Sequence, residues 1–195
     1  MTSTTSEPAT RTWNDVAIPA AGVFTLDVAH TRVGFVVRHL VVSKVRGAFK
    51  EFAGEITVGE NPLESAVTAT IQAASIDTGA GDRDRHLRTG DFFEAEKYPT
   101  LTFRSTRVAD MTGDTFTLVG ELTIKDVTRE VELAVEFGGV VRNAYGQEVI
   151  AFTASTEIDR YDFGITWNQA LEAGGVSVGK KVKIEIEAEA VRQAA

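Results

Sequence analysis

The sequence predicts a single all-β domain: an up-and-down antiparallel barrel of about eight strands, with a short helix in the 78–99 loop. Two observations carry that prediction. Apolar residues recur at every second position along most of the chain, and Val, Thr and Phe are frequent while 17 Gly against 4 Pro supply turns. Size adds a third: 195 residues at 43% hydrophobic composition suit one core and leave little for a second. Consecutive one-sided strands must hide a common face in a two-sheet sandwich or a closed barrel, and the length favours a barrel with a cavity.

Taken in order, residues 1–19 are rich in Thr, Ser and Pro and are expected to form a flexible tail with Trp13 docked, ahead of one domain over 20–195. Weaker alternation then marks strands at 23–29, 32–41, 44–58 and 65–76. Within 44–58 the apolar phase slips from odd positions (Val45, Phe49) to even ones (Phe52, Ile56, Val58), which predicts a bulge near Lys50 and Glu51. Residues 78–99 break the pattern and run too long for a hairpin loop. There a cap at Asp82 or Asp84, a helical turn through His86 and Leu87, and a stop at Gly90 predict a short helix above Phe92 and Phe93.

Alternation resumes at 100–108 and is strongest afterwards. Phe116, Leu118, Leu122 and Ile124 oppose Thr117, Glu121 and Thr123. After a reversal at Lys125 and Asp126, Val127, Val131, Leu133, Val135 and Phe137 oppose Thr128, Glu130, Glu132 and Glu136. Ile150 to Ile158 repeat the pattern, and Val182, Ile184, Ile186 and Ala188 oppose Lys181, Lys183, Glu185 and Glu187.

Composition excludes several functions. A net charge of -8 disfavours nucleic acid and anionic surfaces, and zero cysteines exclude disulfides, thiol nucleophiles and thiolate metal centres. Every apolar run is broken by charge, so no stable membrane insertion is expected; with Met1 as the start and no secretory signal, the reading is cytoplasmic. The run GVSVG at 175–179 fits a nucleophile elbow at Ser177, but a strand follows it and no histidine comes after His86. DFG at 162–164 lacks every companion of a kinase site and reads as a turn. Three scattered histidines, without an HExxH pair, predict no metal and no cofactor.

Four stretches together resemble the YceI family: HTRVGFVVRHLVVSKVRGAFKEFAGEI from His30, SIDTGAGDRDRHLRTGDFFEAEKYPTLTF from Ser75, GELTIKDVTREVEL from Gly120, and DFGI from Asp162. Their order and spacing match over roughly residues 23–190. The resemblance implies a lipocalin-like barrel around an elongated apolar cavity, and a binding protein or carrier, not an enzyme, for a polyisoprenoid or other long-chain amphiphilic lipid. Many family members begin with a signal peptide, from which the polar start of this chain departs.

If the apolar phase faces inward, the lining comprises Phe35, Val37, Phe49, Phe103, Phe116, Leu118, Leu133, Phe137 and Phe152, with His39 in the same phase as Phe35 and Val37. Residues 28–50 hold Arg32, Arg38, Lys44, Arg46 and Lys50 and no acid, which suits a solvated face or a basic rim for an anionic headgroup. Headgroup candidates are Arg38 at one mouth and Arg85 with His86 at the other, the 83–88 loop being favoured. Two alternatives stand beside the carrier: a lipid-modifying enzyme using His39 and His86, and a partner-binding barrel with a filled core. Homodimerisation is left open.

Overall fold

The computed structural model describes residues 7–40, 42–170 and 175–194. Thirteen strands and one α-helix follow in chain order: β1 Thr10–Trp13, β2 Val16–Pro19, β3 Gly22–Leu26, β4 Arg32–His39, β5 Ser43–Phe49, β6 Phe52–Val58, β7 Ala66–Gln72, β8 Ile76–Asp77, α1 Gly81–Leu87, β9 Thr100–Thr112, β10 Thr115–Ile124, β11 Val127–Arg142, β12 Glu148–Asp159 and β13 Val178–Arg192. Eight of them close a ring in the order β3, β6, β7, β9, β10, β11, β12, β13, all antiparallel, with β13 returning to β3. Closure removes the edge from the ring and commits each of its strands to one inward face, while β4, β5 and β8 branch from β13.

The four strongly alternating segments fold as their pattern requires. Leu118, Leu122, Leu133 and Val135 are buried, and Glu121, Glu130 and Glu136 face water. The weaker segments are weaker for identifiable reasons. In β9 a bulge at Thr106 separates Phe103 from Val108, so the inward phase changes from odd to even. In β11, a strong segment, alternation stops at Phe137, because the register shifts between Phe137 and Gly139, where Gly139 sits at φ 116°.

At Lys50 and Glu51 the structure shows a corner between two strands, where one bulged strand was expected. β5 pairs with β4 and β8, whereas β6 pairs with β3 and β7, so the chain changes neighbours there and the phase must reset. Ser75 holds the corner: its carbonyl and its hydroxyl each accept from Lys50 N at 3.1 Å. The matching break on the partner side is the 27–31 turn between β3 and β4. There Asp27 Oδ1 accepts from Ala29 N at 2.9 Å and Asp27 Oδ2 lies 2.8 Å from His30 Nδ1.

Residues 10–19, expected within a flexible tail, form the β1–β2 hairpin. Its turn places Asn14 and Asp15 at positive φ, which these residue types tolerate. The hairpin lays Val16 and Ile18 on a core cluster of Phe24, Ile56, Val58, Phe137, Ile150 and Ala190 at one end of the barrel. Its base is tied by a buried ion pair, with Arg192 Nη2 2.6 Å from Glu148 Oε1. Arg192 also donates to the carbonyls of Ala20 and Ala21, and Glu148 accepts from Ala9 N at 3.0 Å.

The opposite end is plugged. Segment 73–99 and the turn Arg160–Phe163 bring Ile76, Phe92, Ala95, Phe163 and Ile165 against Phe49, Ile71, Leu101, Leu122 and Ile124. The DFG run is a turn, as expected, closed by Gly164 at φ 72°. Arg160 is 4% exposed and donates to the carbonyls of Gly179, Ile165 and Val178, and burial pulls its pKa down from the ordinary arginine value. The helix forms as expected, but neither Asp82 nor Asp84 caps it. Ala80 is its N-cap, and Asp84 is buried inside it, accepting from Thr78 N at 2.9 Å.

These faces make a direct expectation. Phe137→Asp buries an unpaired carboxylate and is expected to destabilise by about 3 kcal/mol or more. Glu130→Lys disturbs only an exposed pair with Arg107, 3.6 Å away, and is expected to shift stability by less than about 1 kcal/mol. Urea melts of the two variants compare them; similar losses would mean that the faces are misassigned.

Candidate functional site

An apolar cavity of about 260 Å³ occupies the barrel interior. Eight of the residues expected on its wall are there: Phe35, Phe49, Phe103, Phe116, Leu118, Leu133, Phe137 and Phe152. Six of them hold an inward position on a strand of the closed ring, while Phe35 and Phe49 come from β4 and β5, which extend the sheet from β13. Ile56, Val67, Ile71, Val131, Ile184 and Ile186 complete the middle of the wall. Phe152 lies 5.2 Å from Phe137 and 6.3 Å from Phe116 between ring centroids, a run of aromatic contacts along one side.

Val37 and His39 are corrections: neither lines the cavity. They stand beyond it at the end of β4, where His39 pairs with Ser43 and Val178. Strand phase aimed them inward, but the cavity ends short of their level. Arg38 is exposed opposite Lys44 at the same end. Arg85 and His86 are also off the wall. Arg85 pairs with Asp82 beside it, and His86 Nε2 lies 2.8 Å from Asp91 Oδ2 while its ring packs edge-on against Trp167 and Phe92. The favoured 83–88 loop is therefore part of the plug, with Arg83 donating to Thr78, Arg85 paired with Asp82 and Arg88 donating to the Ile76 carbonyl.

Glycines give the rings their room. A Cβ built at Gly47 would overlap the Phe35 ring and meet Thr78 Cγ2 at 2.9 Å, and one at Gly120 would lie 2.5 Å from Phe103 Cζ. Each ring lies on bare backbone of the neighbouring strand, which keeps it off the cavity axis.

Residues that sequence reasoning did not assign to a site form the other end. Trp13, Val16, Ile18 and Pro19 of the hairpin, with Pro62, Ser65, Met111, Gly113 and Asp114, line the mouth opposite the plug. Trp13 was expected to dock, and no local signal told where. Its indole Nε1 is buried without a hydrogen-bond partner among the described residues, a state that costs about 1–3 kcal/mol.

Comparison with known proteins fits this arrangement. The model of the YceI-like domain matches residues 24–190. The chain belongs to the YceI-like family. A UPF0312 protein of Staphylococcus epidermidis is 44% identical over 168 residues, covering 85% of this chain and 95% of that protein. Among solved structures, BcnA of Burkholderia cenocepacia superposes with a TM-score of 0.72 at 25% identity, covering 84% of this chain and 98% of its own. The YceI protein of Campylobacter jejuni reaches 0.70 at 34% identity, covering 86% and 96%. A polyisoprenoid binding domain from Saccharophagus degradans shares the fold, with a TM-score of 0.66 at 15% identity over 89% of this chain and all of that one. The β1–β2 hairpin lies before the span matched by the YceI-like model.

In this YceI-like barrel, Ser177 of the GVSVG run donates to Asn168 Oδ1 at 3.3 Å, a contact that orients a hydroxyl without activating it. Asp27, His30 and Glu189 bring three possible ligand atoms within 4.8 Å of one another at the 27–31 turn. Here the hydrogen bond with Asp27 raises the His30 pKa and lowers that of Asp27. No helix among the described residues is long and apolar enough to cross a membrane.

Two expectations follow. The stabilisation from the His30–Asp27 pair is complete below the unfolded histidine value and above the unfolded aspartate value, and it is lost as pH rises through the raised His30 pKa or falls through the lowered Asp27 one. An NMR titration of the His30 ring is expected to give a midpoint above 6.5, and Asp27→Asn is expected to lower it. Gly47→Ala pushes the Phe35 ring inward and is expected to cost about 1–3 kcal/mol in urea melts while shortening the longest chain the cavity accepts.

Proposed function

We propose that the protein is a carrier that holds a long-chain amphiphilic lipid, a polyisoprenoid by preference, inside its barrel. One observation carries the reading: the closed ring encloses an apolar cavity that its own rings and branched side chains leave unfilled. Such a wall offers no directional partner along the tail, so it selects for length, width and flexibility and against charge. Family membership and the polyisoprenoid binding domain of the same fold support the ligand class.

The cavity argues against a filled core that serves only to dock a partner. For a lipid-modifying enzyme, His39 and His86 would have to reach the chain, and both lie off the wall. A binding role asks only for the cavity and a way in.

Each buried CH₂ contributes roughly 0.8 kcal/mol, so affinity for prenyl alcohols is expected to rise with the number of isoprene units until the cavity is full, then level off. A graded series measured by calorimetry checks this, beside native mass spectrometry of the purified protein after organic extraction. A flat response across all lengths would sink the interior site.

A further inference from the structure

We infer that the ligand lies with its polar end beneath the β1–β2 hairpin and that this end is an uncharged hydrogen-bond acceptor, such as a hydroxyl, a ketone or an amide, and not a phosphate. The inference rests on the lipid-carrier reading above and adds the headgroup chemistry.

The two ends of the barrel are unlike. At one end the plug seats Ile76, Phe92, Phe163 and Ile165 in a packed cluster, with none of the four on the cavity wall. At the other, the cavity reaches the hairpin and the turns at 59–65 and 113–114, so the polar end of a chain has this mouth as its route to water.

The charges there are negative. Asp114 lies on the wall itself, and Asp15 and Glu64 stand on the turns that frame it, none of the three in an ion pair among the described residues. Arg11 is committed to Glu60 and to the carbonyls of Gly59 and Glu60, Arg192 to Glu148 and the carbonyls of Ala20 and Ala21, and Arg142, opposite Glu148 at the same end, to the carbonyls of Gly146 and Glu7. A phosphate would meet carboxylates at an apolar mouth, where like charges repel and its own desolvation goes uncompensated. Of the basic residues of 28–50, Arg38 and Lys44 stand at the far end, at the β4–β5 turn, Arg46 pairs with Glu185, Lys50 pairs with Asp77, and Arg32 is off the cavity wall.

Trp13 supplies what a neutral headgroup needs. Its Nε1–H is a donor only, buried and unpartnered, on a residue that lines this mouth. A hydroxyl or carbonyl oxygen brought under the hairpin pairs with it after a small shift of the ring. Trp13 is thus assigned as a positioning residue for the ligand's polar end, contributed by a hairpin outside the span of the family match.

The test compares geranylgeraniol, geranylgeranyl phosphate and the matching hydrocarbon that lacks the hydroxyl, by equilibrium binding to the full chain at low salt. The alcohol is expected to bind at least tenfold more tightly than the phosphate. W13F keeps a ring in the wall and is expected to weaken the alcohol about three- to tenfold more than the hydrocarbon. D15N/D114N, two exposed changes in turns, is expected to strengthen the phosphate and narrow the gap at least threefold. Phosphate binding as tight as the alcohol, or W13F weakening alcohol and hydrocarbon alike, overturns the inference. If the wild-type protein binds none of the three, the carrier reading fails and the headgroup assignment falls with it.

Discussion

The pairing of β12 with β13 closes the ring, and the other features of the molecule depend on it. An open sheet can turn its apolar side to a second layer and leave nothing inside. A closed ring has no such choice, since every second side chain must point at the axis from all sides. Interior volume is then set by ring diameter, and side chains either fill it or do not. Here they do not, although nearly every inward position is apolar. The buried end clusters show that the chain can pack densely where it needs to.

Large inward rings and an unfilled axis are reconciled by pairing size with absence of size across strands. Phe35 lies on Gly47 and Phe103 on Gly120, so two of the bulkiest side chains spread along the wall. The glycines cost backbone entropy in strand interiors, which is tolerable because the neighbouring ring covers the exposed backbone. A barrel optimised for stability alone would place a branched residue at each such position and lose the cavity.

The ends divide the labour. Long irregular segments at one end bury aromatic residues and satisfy their own polar groups, with Arg160 gathering three carbonyls and Asp84 fastening Thr78. The hairpin at the other end rests on apolar contact through Val16 and Ile18, on Arg11 bonded to Gly59 and Glu60, and on the Glu148–Arg192 pair at its base.

Much of this was legible in the chain itself. Alternation is a local property, because side chains at i and i+2 share a face whatever lies across the sheet, so β10, β11, β12 and β13 and eight of the wall residues could be named from spacing alone. The short helix and the turn at Asp162 were equally local. What lay beyond the sequence was everything that depends on distant segments meeting. Lys50 and Glu51 showed a phase slip, but its meaning as a corner comes from β5 and β6 having different neighbours. Val37 and His39 have the right phase and the wrong height, and height along an axis is not encoded in period two. Arg85 and His86 stood out as headgroup candidates, and only the folded loop brings Asp82 and Asp91 beside them. Trp13 had no periodic context at all, and its place follows from contacts between the first residues of the fold and the last, with Arg192 bonded to the carbonyls of Ala20 and Ala21. Local spacing decided which side chains face inward; only long-range contact decided which end of the interior is sealed.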